Sequence, residues 1–116
     1  MDPRQVPRFG EVWQADFDPI VGHEQAGKRP AIIVSTDAFN LNASRLVVVA
    51  PVTRRDRRNP LHVPISPSRD GLRYSSFALC DAVRSISTDR LLFRIGRIDH
   101  DAIGEIGDRL RIVLAL

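Results

Sequence analysis

The sequence of 116 residues holds a single cysteine, Cys80, and only 6% aromatic residues. A lone cysteine cannot form an intramolecular disulfide, which excludes a small secreted scaffold held by disulfides and favours a cytoplasmic protein. The most apolar run, residues 46–52, is far too short to cross a bilayer, and residues 1–9 lack the apolar segment of a signal peptide. These absences predict a cytoplasmic protein with no membrane partner.

Histidine is also sparse. His23, His62 and His100 lie far apart in the sequence and show none of the close pair spacings of a zinc site. We therefore expect chemistry that needs neither a metal nor another cofactor.

Lysine is almost absent, because every basic residue except Lys28 is an arginine. The 17 basic and 14 acidic residues give a formal net charge of only +3. A planar guanidinium matches two phosphate oxygens at once, so an arginine-dominated set is typical of phosphate recognition. A genome rich in G and C would produce the same bias, and composition alone does not separate the two explanations.

The length fits one domain that spans residues 1–116. Apolar and polar residues alternate over 10–17, which predicts a half-buried strand, and the β-branched run over 46–53 predicts a buried one. Apolar residues at spacings of three and four after Asp99, a suitable N-cap, predict a C-terminal amphipathic helix. Further strands are predicted over 31–35, 61–65, 76–80, 82–86 and 93–98, with short helical turns after residues 36 and 87. The pattern indicates a mainly β (α+β) fold, a small and strongly bent antiparallel barrel with a C-terminal α-helix.

Two loops hold the groups most suited to chemistry. The segment 20–28 combines an imidazole, a carboxylate, an amide and a cation with two glycines, and it leads directly into a strand. The segment 54–58 holds four arginines in five residues and is interpreted as a charged hairpin loop. Spacing alone leaves open that both are solvated loops whose charges have no role.

Five blocks of the sequence carry a resemblance that covers nearly the whole chain. They are Gly10-Glu11-Val12-Trp13 with Asp16-Phe17-Asp18-Pro19, Gly22-His23-Glu24-Gln25-Ala26-Gly27-Lys28-Arg29-Pro30-Ala31, Val49-Ala50-Pro51-Val52-Thr53, Cys80-Asp81-Ala82-Val83-Arg84-Ser85-Ile86, and Arg90-Leu91 with Ile95-Gly96-Arg97. In this order they resemble the MazF/PemK (Kid) family of toxin endoribonucleases from toxin–antitoxin systems. The resemblance implies an SH3-like (CcdB-like) barrel, a homodimer, metal-independent cleavage of single-stranded RNA such as mRNA, and neutralisation by a cognate antitoxin.

The family's catalytic arginine and threonine fall on Arg29 and Thr53. Attack of a ribose 2′-OH on the neighbouring phosphate adds negative charge to the phosphoryl oxygens, which a guanidinium and a hydroxyl can stabilise. Glu24 and His23 are the candidates for the general base, and His23 titrates nearest to neutrality. One branch of the family uses an Arg–Cys–Asp triplet instead, but here Leu79 precedes Cys80 and Asp81, so that acid is missing.

The remaining candidates are expected to bind RNA, since cations neutralise backbone phosphates. They are Gln25, Lys28, Arg54, Arg55, Arg57, Arg58, Asp81 and Arg84. Asp81 has an alternative interpretation as a carboxylate that holds neighbouring donors. Trp13 could stack on a base, but its position in an alternating strand favours the core.

Two functions of other classes stay open from the residues alone. One is a barrel that binds nucleic acid without cutting it, and the other is a CcdB-like toxin that poisons gyrase through protein contact. Neither requires both Arg29 and Thr53. The apolar chain end, residues 112–116, is compatible with the homodimer that the resemblance implies, because a small domain has difficulty burying it alone.

Overall fold

A computed structural model describes residues 6–18 and 27–116. Within these ranges the chain forms seven strands, two α-helices and two 3-10 turns, which confirms the predicted mainly β class. The strands are β1 (Glu11–Asp16), β2 (Lys28–Ile33), β3 (Leu46–Thr53), β4 (His62–Ile65), β5 (Ser76–Leu79), β6 (Arg84–Ser87) and β7 (Leu91–Arg97). The helices are α1 (Asp37–Asn40) and α2 (His100–Leu114), and the 3-10 turns cover Cys80–Ala82 and Thr88–Arg90.

The strands form one bent antiparallel sheet in the order β4-β5-β3-β2-β1-β7, with β6 also paired to β3. The end strands β4 and β7 do not pair with each other in the described residues, so the barrel is open. Both faces of the central strands are buried, as Val12 and Trp13 on β1 show by packing into two different apolar clusters. Trp13 is 8% exposed, which confirms that it belongs to the core.

Strand β3 has the predicted bounds and changes its neighbour along one edge. It pairs with β6 from Leu46 to Val49 and with β5 at Val52 and Thr53. Pro51 lies in the interval between these two pairings, where the missing N–H of a proline removes no hydrogen bond to β5 or β6. The 3-10 turn Cys80–Ala82 connects β5 to β6 along the same edge.

Helix α2 packs against β4 and the 3-10 turn Cys80–Ala82. Its N-cap is Asp99, as predicted, whose carboxylate accepts a hydrogen bond from the backbone N–H of Ala102. Ala102 and Ile106 are buried, whereas Ile112, Leu114 and Leu116 are 67%, 52% and 84% exposed. The described chain therefore leaves its apolar end uncovered, as expected for residues that a lone domain cannot bury.

No helix in the two described ranges has the length and apolar character needed to span a membrane.

Two sequence-based expectations were wrong in detail. The segment 54–58 is not a hairpin loop, because it connects β3 to β4, and β5 lies between these strands in the sheet. The strand predicted over 82–86 instead covers Arg84–Ser87. Residues 80–82 form a 3-10 turn that connects β5 to β6, so the second strand begins later than predicted.

Candidate active-site cleft

A cleft of about 390 Å³ opens where the pairing between β2 and β3 ends, beyond Ala31 and Pro51. Five cationic side chains line it: Lys28, Arg29, Arg54, Arg55 and Arg73. No acidic side chain is among the described residues of its lining. Its other residues are Pro30, Val52, Thr53, Leu72, Tyr74 and Ser76. Such a concentration of one charge in a concave surface attracts polyanions and raises their local concentration.

The strand register explains why Arg29 and Thr53 meet. Strands β2 and β3 pair Ile33 with Val49 and Ala31 with Pro51. Arg29 and Thr53 each lie two residues beyond the last of these pairs. Because residues i and i+2 of a strand share a face, continuing the register brings the guanidinium-bearing residue opposite the hydroxyl-bearing one. The two groups are 24 residues apart in sequence, yet both line the same cleft.

The Thr53 side chain is held in place by its own loop. Its Oγ1 accepts a hydrogen bond of 3.2 Å from the backbone N–H of Arg55. A threonine hydroxyl can accept and donate at the same time, so this contact leaves its proton for another acceptor. Thr53 is only 5% exposed, which limits the orientations that its hydroxyl can adopt. The geometry suits a donor aimed at an anion in the cleft.

The residues on either side of the segment 19–26 are joined by hydrogen bonds next to Lys28, which lines the cleft. Phe17 N–H donates to the Gly27 carbonyl over 2.9 Å, and Gly27 N–H donates to Asp18 Oδ1 over 3.0 Å. Gly27 has a φ of 74°, a conformation that glycine adopts without strain. Lys28 and Arg29 follow directly on β2. The candidates His23, Glu24 and Gln25 lie outside the described residues.

Four other predicted RNA-binding residues do not line the cleft. Arg57 and Arg58 are exposed on the connection between β3 and β4, and the Arg84 guanidinium lies 5.7 Å from the centre of the Phe17 ring. The Asp81 carboxylate contacts the His62 Nε2 over 2.9 Å and accepts a hydrogen bond from Asn59 Nδ2 over 3.3 Å. These contacts favour the interpretation of Asp81 as a group that organises neighbouring side chains.

Sequence reasoning missed the wall of the cleft formed by Arg73 and Tyr74. Both come from the β4–β5 loop (residues 66–75), which docks on β7. Arg97 N–H donates to the Asp70 carbonyl over 2.8 Å, and a Cβ on Gly96 would collide with that carbonyl, so only glycine allows this approach. No pattern within the β4–β5 loop or within β7 predicts that the two segments are in contact. The only sequence feature that pointed to a role for this loop is a tyrosine next to an arginine among polar residues.

Cys80 has no nucleophilic role in this arrangement. Its side chain is buried, and this burial raises the pKa of the thiol to about 11. At neutral pH the thiol is therefore protonated, as expected for a small apolar core group.

The comparisons with known proteins cover nearly the whole chain. The family model of the PemK-like, MazF-like toxins of type II toxin–antitoxin systems matches residues 8–114. Endoribonuclease MazF9 of Mycobacterium tuberculosis is 38% identical over 114 residues, which are 94% of this chain and 97% of the relative.

Solved structures agree with this sequence match. The crystal structure of MazF from Deinococcus radiodurans has a TM-score of 0.85 at 31% identity and covers 96% of this chain and 98% of that chain. An endoribonuclease in complex with its cognate antitoxin, from a mycobacterial species, has a TM-score of 0.79 at 26% identity, over 95% of this chain and 96% of that chain. On these matches the chain belongs to the family of PemK-like, MazF-like toxins of type II toxin–antitoxin systems.

Proposed function

We propose that this MazF-like toxin is an endoribonuclease that cuts single-stranded RNA, including mRNA, in the cationic cleft. The observation that carries the proposal is the convergence of Arg29 and Thr53 in a cleft lined by five cations. A relative that is 38% identical is named an endoribonuclease, which supports the same activity. A gyrase poison that acts through protein contact has no need for this combination.

The reaction we propose is an internal transfer at one phosphodiester. The 2′-oxygen forms a bond to phosphorus, the bond from phosphorus to the 5′-oxygen breaks, and the products end in a 2′,3′-cyclic phosphate and a 5′-OH. Negative charge grows on the non-bridging oxygens as the new bond forms. Arg29 stabilises that charge with two donors of its guanidinium, and the Thr53 hydroxyl donates a hydrogen bond to the same phosphate.

Proton transfer requires a second set of groups. The 2′-OH loses a proton as it attacks, and the 5′-oxygen gains one as it leaves. A guanidinium stays protonated near neutral pH, so Arg29 acts by charge and not as the acid. His23 and Glu24 are the candidates for the base, and a pH profile of their variants separates them, because an imidazole and a carboxyl titrate in different ranges.

The remaining cations extend the binding surface beyond the reacting phosphate. Lys28, Arg54 and Arg55 in the cleft would bind the adjoining backbone, Arg57, Arg58 and Arg84 would extend that surface, and Gln25 would contact bases or riboses. Asp81, predicted from sequence to contact RNA, instead orders His62 and Asn59 in this proposal. The protein works in the cytoplasm as a homodimer, with the exposed apolar residues of its C-terminus buried between the subunits. A cognate antitoxin with an acidic or apolar disordered segment would fold over the groove and block RNA.

Digestion of a long single-stranded RNA in the presence of EDTA tests the proposed activity. We expect the wild-type protein to cut it and the fragments to carry 5′-OH ends that a kinase labels without prior phosphatase treatment. Thr53→Val removes the hydroxyl but keeps the shape, and it should slow cutting by about 10²-fold, the typical cost of one lost donor to a developing oxyanion. Intact RNA with the wild-type protein, or equal cutting by Thr53→Val, would overturn the proposal.

A further inference from the structure

The cleft holds one aromatic ring whose role the proposed cleavage does not explain. Tyr74, the only tyrosine of the chain, lines the cleft and is 57% exposed. The guanidinium carbon of Arg54 lies 4.0 Å from the centre of its ring. One face of the ring is thus paired with a cation, while more than half of the residue's surface stays open to solvent.

The backbone at Tyr74 is fixed by the residues around it. Leu72 and Ser76, two residues away on either side, are 8% and 3% exposed. Ser76 Oγ donates a hydrogen bond of 2.7 Å to the Tyr74 carbonyl, which ties the backbone of Tyr74 to the start of β5. The next residue of β5, Phe77, pairs with Thr53. The sheet therefore holds the backbone of Tyr74 close to that of Thr53, and the Arg54 guanidinium packs on the ring itself.

An exposed aromatic ring on a rigid backbone beside several cations has the composition of a single-strand binding site. Such sites combine cations that follow the backbone with rings on which bases stack. The arginine-rich segment 54–58 contains no aromatic residue of its own, and the β4–β5 loop supplies one to it.

We infer that the ring of Tyr74, with the Arg54 guanidinium on one face, is a stacking platform for one RNA base next to the scissile phosphate. This inference rests on the proposed endoribonuclease activity and names a residue that selects where the cut falls. Every base has a π-face, so the platform accepts all four bases, but the larger ring system of a purine stacks more strongly. The platform therefore favours a purine at one position within two nucleotides of the cut.

Three variants test this role. Tyr74→Ala removes the ring, Tyr74→Phe keeps it without the hydroxyl, and Phe39→Ala removes an exposed aromatic of α1 that does not line the cleft. Fragment ends from a mixed-sequence RNA map the cut site of each variant. Fluorescence anisotropy then gives the Kd for an oligonucleotide of the mapped sequence in which 2′-O-methyl groups block attack. Thermal melting of all three shows that they fold.

We expect Tyr74→Ala to raise this Kd by about 5- to 150-fold, the range for loss of one stacked base, and to abolish the purine preference. Its cleavage rate at saturating RNA should change less than its kcat/KM. Phe39→Ala should match the wild type in both assays, and Tyr74→Phe, which keeps the stacking ring, should restore most of the affinity and the purine preference that Tyr74→Ala loses. A Tyr74→Ala variant with unchanged Kd and cut sites, or a Tyr74→Phe variant as impaired as Tyr74→Ala, overturns the platform. Wild-type protein that leaves all RNA intact overturns the proposed function instead.

Discussion

Replacing Arg29 by alanine should lower the rate of RNA cleavage under single-turnover conditions by about 10²- to 10³-fold, the usual cost of losing one preorganised group that stabilises an oxyanion. Arg29 lies on β2 at a position paired with Ala15, so its backbone is fixed by the sheet and its side chain lines the cleft. Arg29→Lys keeps the charge but loses the bidentate fork, and it should recover only part of the rate.

Arg111→Ala is the matched control for loss of one positive charge. Its guanidinium makes an exposed ion pair with Asp108 within α2, and such pairs contribute little to stability. We expect this control to cut within a factor of about three of the wild type, since one distant exposed charge is largely screened. Equal rates for Arg29→Ala and Arg111→Ala would remove Arg29 from the reaction.

The largest effect on stability is expected at Glu11. The residue is 8% exposed, and its carboxylate accepts hydrogen bonds from the Arg8 backbone N–H over 2.8 Å, from Trp13 Nε1 over 3.1 Å and from Arg94 Nε over 2.6 Å. Glu11→Ala leaves the buried indole N–H without an acceptor and breaks the side-chain tie between β1 and β7. We expect the free energy of unfolding to fall by roughly 2 to 3 kcal/mol, measured by urea denaturation.

Glu11→Gln removes the negative charge of the side chain but keeps one oxygen that accepts hydrogen bonds. A glutamine oxygen still accepts from Trp13 and Arg8. Its amide NH2 replaces the oxygen that accepts from the half-exposed Arg94, so that one hydrogen bond is lost together with the ion pair. The loss should therefore be about 1 kcal/mol, because ion pairs with one exposed partner contribute modestly. If Glu11→Ala and Glu11→Gln lose the same stability, the buried hydrogen bonds of the carboxylate are not what stabilises this part of the fold.

The strands could be predicted where local chemistry decides them. The β-branched run of β3 and the Asp99 cap of α2 were both found at their observed positions, because each depends on residues adjacent in sequence. Two strands were also predicted over 76–80 and 82–86, but the 3-10 turn that separates β5 from β6 was not, since its place depends on where β3 changes its neighbour. That change is set by the bend of the whole sheet, and no periodicity within 76–87 reports it.

The candidate site could be predicted to a similar extent. The family resemblance brought Arg29 and Thr53 together, and the register of β2 and β3 supplies the physical reason. Tyr74 was missed because its loop reaches the cleft through a contact with β7, more than twenty residues further along the chain. Contacts of this kind depend on tertiary packing, which the pattern of one loop does not encode.

The central claim is that one phosphate contacts Arg29 and Thr53 at the same time. A double-mutant cycle of Arg29→Ala and Thr53→Val, measured as single-turnover cleavage rates, tests it most directly. Groups that act as a unit are strongly non-additive, so the double variant should be little slower than Arg29→Ala alone. Effects that multiply in full would mean that the two residues act independently, and the shared phosphate would be ruled out.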